Sequence, residues 1–130
     1  MYSAITRGIR VTVTPRYMPE RSSPADSHYF WAYEVEITNL SIDSVQLRAR
    51  FWRITDASGR VQEVQGPGVV GEQPIIESGD AYSYTSGCPL TTPTGIMVGS
   101  YTMVTSSGHE FEAEIPAFSL DIPNAPRVLN

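Results

Sequence analysis

Between Tyr29 and Asn39 every second residue is large and apolar: Trp31, Tyr33, Val35 and Ile37 share one side of an extended chain, and Glu34, Glu36 and Thr38 share the other. Successive side chains of a strand point to opposite faces, whereas a helix would scatter these four around its circumference. The segment therefore has to be a strand with one face in a core and one in water. The same two-residue period recurs in Arg7–Tyr17, where Ile9, Val11 and Val13 oppose Arg10, Thr12 and Thr14, and again where Val45, Leu47, Ala49 and Phe51 oppose Gln46, Arg48 and Arg50. No window of helical length carries a 3.6-residue apolar repeat.

Turn chemistry divides these runs. YMPERSSPADS, residues 17–27, holds two prolines and three serines and reads as a loop. DASGR (56–60) and SSGHE (106–110) each place a glycine after small polar residues between strand-like runs, the chemistry of a hairpin whose glycine takes positive φ. The first joins the strand ending near Thr55 to Val61–Val64; the second joins Ile96–Thr105 to Phe111, Ala113 and Ile115. Tyr82 and Tyr84 mark a short strand, and Ala117–Ile122 reads as a last edge segment before a proline-rich tail. About seven strands with turns every 8–12 residues describe an all-β antiparallel sandwich, immunoglobulin-like or fibronectin type III-like. At 130 residues, 1–130 reads as one domain with one core. Pairing of 29–39 with 45–55 has two solutions. A hairpin around Ser41–Ser44 would set Glu36 against Arg48, and a Greek key would send the two strands to different sheets. The Greek key is the expected one.

Charge and cysteine content narrow the function classes. The net charge is −5, and all nine basic residues are arginines scattered from Arg7 to Arg127. Nucleic acid needs clustered cations and is not an expected direct partner. The absence of lysine removes P-loop, Schiff-base and lysine-base chemistry. A lone Cys88 permits no internal disulfide, and no apolar run reaches membrane-spanning length or resembles a signal-peptide core. A cytoplasmic protein without membrane insertion is expected.

GPGVVGEQPII (66–76), YTSGCPLTTPTGIMVGSY (84–101) and FEAEIPAFSLD (111–121) resemble the bacterial ApaG family, and EVEITNLS and VQLRARFWRITDASGRVQEVQ extend the likeness through the N-terminal strands. The resemblance implies a fibronectin type III-like sandwich, an association with cobalt resistance and magnesium efflux, a protein-interaction role, and no enzymatic activity.

Three constellations are candidate sites. Gly66, Gly68 and Gly71 spell GxGxxG, which in the family has been read as a pyrophosphate signature; a glycine loop can offer backbone N–H groups to an anion, but Pro67 and Pro74 and the missing helix argue for a plain turn. Glu110, Glu112 and Glu114 form an acidic stripe that could attract a divalent cation. Carboxylates about 7 Å apart along a strand do not close on one ion, so a solvated face is the competing reading. Trp52 and Ile54 fall out of phase with Phe51, as does Phe30 beside Trp31. Either a bulge turns them inward or they form a patch for a partner. Cys88 reads as a small buried thiol, since no base is placed to activate it. The expectation is a non-catalytic binding module without a cofactor, acting on an unidentified protein partner. Its rival is a domain that holds pyrophosphate or a nucleotide at residues 66–71.

Overall fold

The structure, a computed structural model, describes residues 1–123. Nine strands run β1 (Tyr2–Thr6), β2 (Ile9–Tyr17), β3 (Tyr29–Asn39), β4 (Val45–Asp56), β5 (Val61–Pro67), β6 (Ile75–Ile76), β7 (Ala81–Leu90), β8 (Gly95–Thr105) and β9 (Glu110–Leu120). They build two antiparallel sheets, ordered β1-β2-β3-β7 and β5-β4-β8-β9, with β6 pairing the start of β4. None of the described elements is a helix long and apolar enough to cross a membrane. Residues 124–130, most of the tail expected after Ile122, lie outside the described residues.

Period-two patterning does the assembly. Val11 and Val13 from β2, Trp31, Val35 and Ile37 from β3, Leu47 from β4, Tyr101 and Met103 from β8, and Ile115 and Phe118 from β9 meet as one buried cluster between the sheets. The Greek-key solution holds: β3 and β4 lie in different sheets, so Glu36 faces Thr12 and Ser83 across its ladders and not Arg48. Asn39, buried at the end of β3, fastens this crossover. Its Nδ2 donates to the carbonyls of Asp43 (2.7 Å) and Ile76 (2.9 Å), and its Oδ1 accepts from the amide and hydroxyl of Ser41.

Both glycine hairpins form as expected, with Gly59 and Gly108 at φ 86° and 87°. Two expectations need correction, and one strand lies outside every predicted run. Tyr2–Thr6 is a strand, joined to β2 by a two-residue turn in which Arg7 and Gly8 both take positive φ. That turn type suits the right-handed twist of a hairpin. The strand around Tyr82 and Tyr84 is longer than expected and continues through SGCPL to Leu90. Ala117–Ile122 is not a separate edge segment, because β9 runs on from Glu110 to Leu120. Two residues, Pro116 and Ala117, stand opposite the single Val98 of β8, and this bulge returns Phe118 and Leu120 to the core face.

A second bulge lies in β4. Leu47 pairs Met103 and Ala49 pairs Thr102, leaving Arg48 as the extra residue. Before it Val45 and Leu47 face inward; after it Trp52 and Ile54 do, at 3% and 9% exposure. The bulge alternative thus holds for Trp52 and Ile54, which are core residues and form no exposed patch.

Candidate functional site

The two long seams of the sandwich differ. On one, β9 closes against β1 and β2: Tyr2 packs on Phe118, its hydroxyl meets Ser119 Oγ at 2.9 Å, and the Trp31 indole donates to the Asp121 carbonyl at 2.8 Å. On the other, between β5 and β7, the inward positions are Gln62, Val64 and Gly66 on one strand and Tyr84, Ser86 and Cys88 on the other. Glycine, serine and cysteine are too small to fill the gap between sheets about 10 Å apart. The result is a cleft of about 390 Å³ with Tyr33, Trp52 and Met97 lining it and the Val69–Gly71 turn at its rim. It continues past Ile54, Gln62 and Pro89 into a second hollow of about 310 Å³ that reaches His28, Asp56 and Arg60.

The one charged side chain lining the main cleft is Arg50. It stands opposite Tyr101 on β8 and Gly66 on β5, on the face that the bulge turns inward. Its Nη1 donates to the carbonyls of Pro67 (3.0 Å) and Gly68 (2.9 Å). A Cβ at position 66 would sit only 3.1–3.2 Å from the guanidinium, so Gly66 is the residue that lets Arg50 lie across β5. Among the described residues the one ion pair joins Arg53 to Glu63, at 2.9 Å, and Arg50 has no carboxylate partner. Phenols surround it instead. The Tyr84 and Tyr101 hydroxyls hydrogen-bond to each other, and burial raises the pKa of both. Tyr33, beside Ser86, is raised mainly by burial as well. Burial also pushes the Cys88 thiol up to about 11, which leaves it protonated at neutral pH.

The glycine motif borders the cleft, yet its Gly68 and Val69 amides are committed elsewhere. Gly68 N–H donates to Arg48 O (2.8 Å), and Val69 and Glu72 exchange N–H···O bonds of 2.8 and 2.9 Å around a two-residue turn, Val70–Gly71, with both φ positive. Each glycine has a structural reason: Gly66 accommodates Arg50, a Cβ on Gly68 would approach Glu72 O to 2.0 Å, and Gly71 supplies φ 82°. Glu110, Glu112 and Glu114 remain a spread stripe on β9. Glu112 accepts from Thr102 Oγ1 at 3.0 Å, and no three His, Cys, Asp or Glu side chains converge among the described residues. His109 bonds to Arg7 at 3.1 Å. Phe30 is half-buried on the outer face of β3, lying over Gly87 with the Arg21 guanidinium 4.2 Å from its ring centre.

Arg50 is the residue that sequence reasoning missed. The signal was present: Arg50, Trp52 and Ile54 share one phase, so a bulge that turns the two apolar residues inward must turn the arginine inward too.

Known proteins place this architecture. Residues 19–105 match the model of the ApaG domain. The ApaG proteins of Methylobacterium sp. (strain 4-46) and Methylorubrum extorquens (strain PA1) are each 62% identical over 130 residues, covering all of both chains. A crystal structure of a Bordetella pertussis protein named ApaA superposes with a TM-score of 0.88 at 49% identity, covering 90% of this chain and 95% of that one. With the family model spanning most of both sheets and full-length relatives at this identity, the chain belongs to the ApaG family.

Proposed function

We propose that the chain is a non-catalytic cytoplasmic binding module whose working surface is the β5–β7 cleft, and that the cleft takes an extended segment of a partner protein. The observation that carries this reading is the position of the cleft: its mouth is flanked by the two terminal strands β5 and β7, each with an outer edge unpaired among the described residues. An extended segment that adds to such an edge gains main-chain hydrogen bonds and sends alternate side chains into the hollow beside it. β7 offers the longer edge, ten residues, with its one proline, Pro89, near the end. Catalysis has little support, because the cleft's thiol is held protonated. The cobalt and magnesium association implied by the family resemblance is then a consequence of partner contact and not of an ion held by Glu110, Glu112 and Glu114. Pyrophosphate or nucleotide binding at Gly66–Gly71 has less support than the cleft, since the Gly68 and Val69 amides already serve protein carbonyls.

Crosslinking from native cells tests the reading when wild type is compared with Ser86→Trp, which fills the cleft mouth. Partners lost in the variant and slowed amide exchange along β7 in the complex are expected. Retention of every partner by a folded Ser86→Trp protein would sink it.

A further inference from the structure

We propose that Arg50 makes its part of the cleft a carboxylate subsite, so that the segment it takes presents one acidic side chain among apolar residues. This rests on the cleft being the binding surface and names the chemistry of what enters it. A guanidinium carries five N–H donors. Nη1 spends its two on Pro67 and Gly68, which fixes the group in place, and the three on Nε and Nη2 have no protein acceptor among the described residues. The guanidinium is half-buried in a cleft that Tyr33, Trp52 and Met97 also line, and apolar walls beside a cation strengthen its attraction for an anion. The Tyr84–Tyr101 pair adds a donor: two hydroxyls share one hydrogen bond, and the second proton has no acceptor of its own among the described residues.

Charge selects the ligand. One guanidinium balances one negative charge; pyrophosphate would bring at least two into a cleft with a single cation, in a protein of net charge −5, and the excess would lie desolvated without a partner. The adjoining turn adds little, because its amides at Gly68, Val69 and Glu72 are taken and only those of Val70 and Gly71 are left. A carboxylate on a short apolar stem matches both the charge and the walls.

The test follows amide-resolved NMR spectra of the isotope-labelled full chain while it is titrated with hydrocinnamate, with its neutral amide, and with two end-capped peptides of alternating valine and threonine bearing a central glutamate or glutamine. Both acids are expected to shift the signals of Ser86–Cys88, Val70–Gly71 and the Trp52 indole saturably. The neutral counterparts should bind at least about tenfold more weakly. Arg50→Gln should erase that difference and Arg50→Lys should keep part of it. Equal binding of acid and amide, no binding of either acid at about 10 mM, or pyrophosphate displacing hydrocinnamate more tightly than acetate does would each overturn the subsite. If Arg50→Gln fails to fold, the acid-to-amide ratio in the wild type decides alone. Hydrocinnamate binding without the glutamate peptide keeps the subsite and removes the partner-segment reading; glutamate and glutamine peptides binding equally does the reverse.

Discussion

Replacing Asn39 by alanine tests whether one buried amide holds the crossover between the sheets. The side chain makes four hydrogen bonds: two donated, to Asp43 O and Ile76 O, and two accepted, from the Ser41 amide and hydroxyl. A neutral intramolecular hydrogen bond contributes about 1 kcal/mol net, and a buried group left without a partner loses about 1–3 kcal/mol. Ser41 is half-buried and water can replace part of what it loses, whereas the bond to Ile76 O is buried. The expected loss is about 3 kcal/mol, which for a chain of this length lowers Tm by about 12 °C at roughly 4 °C per kcal/mol. Urea denaturation followed by fluorescence and by circular dichroism measures it, the coincidence of the two probes checking two-state behaviour. Asn39→Asp sharpens the test. It keeps the shape and the acceptor but aims a carboxylate at two carbonyls. Protonation restores one donor, so the folded pKa of that acid lies above its unfolded value of about 3.9. The native state then binds more protons, and the variant loses stability as pH rises from 4 to 7 relative to Asn39→Ala. A loss below about 1 kcal/mol for alanine, or parallel pH profiles for the two variants, would refute the account.

Three further outcomes follow from the same geometry. With its thiol pushed up to about 11 by burial, Cys88 should react with iodoacetamide at pH 8 at least about a hundredfold more slowly in the native protein than in urea, and comparable rates would show the thiol to be accessible and ionised. Burial raises Tyr84 and Tyr101 above the ordinary phenol value, so the unfolded chain releases protons first; stability should fall as pH climbs past about 10, less steeply in Tyr84→Phe, as read from urea midpoints at successive pH values. Gly68→Ala drives a Cβ toward Glu72 O and should lose at least about 2 kcal/mol, whereas Gly108→Ala, strained in φ but open in space, should lose about 1 kcal/mol; equal losses in denaturation would show that crowding at Gly68 is relieved by movement of the turn.

Most of the fold could be read from the sequence because its strands are half-buried and, in β2 and β3, their period runs without interruption. Trp31, Tyr33, Val35 and Ile37 define β3 without ambiguity, and the glycines of DASGR and SSGHE mark their hairpins. What escaped has physical causes. β1 is five residues long, and its turn places an arginine at φ 49°, where asparagine or glycine is the usual signal. Pro116 reads as a strand end, since proline cannot donate to a ladder; it sits at a bulge, where no donor is required. The loop motif GxGxxG was visible, but only the ladder shows that its three glycines answer to a guanidinium, a carbonyl and a turn.

The candidate site follows from the same kind of irregularity. Without the extra residue at Arg48, the phase set by Val45 and Leu47 would carry Ala49 and Phe51 inward and leave Trp52, Ile54 and Arg50 in solvent. One inserted residue exchanges that set for the other. The core then holds Trp52 against Tyr33 and Phe118 at ring separations of 5.4 and 5.9 Å, and it must also admit a guanidinium. A packed seam would not tolerate that charge; a seam lined by Ser86 and Cys88, with Gly66 paired to Arg50, does, because it stays open to water and supplies the Pro67 and Gly68 carbonyls as anchors. The small residues of β5 and β7 and the bulge of β4 are thus parts of one arrangement. Filling the seam with Ser86→Trp should therefore both block the cleft and destabilise Arg50, whereas the double variant Ser86→Trp, Arg50→Met should recover stability, because an apolar side chain of similar length leaves no charge to desolvate. Additive stability changes in that double-mutant cycle would mean that Arg50 is solvated independently of the cleft, and the carboxylate subsite would lose its physical basis.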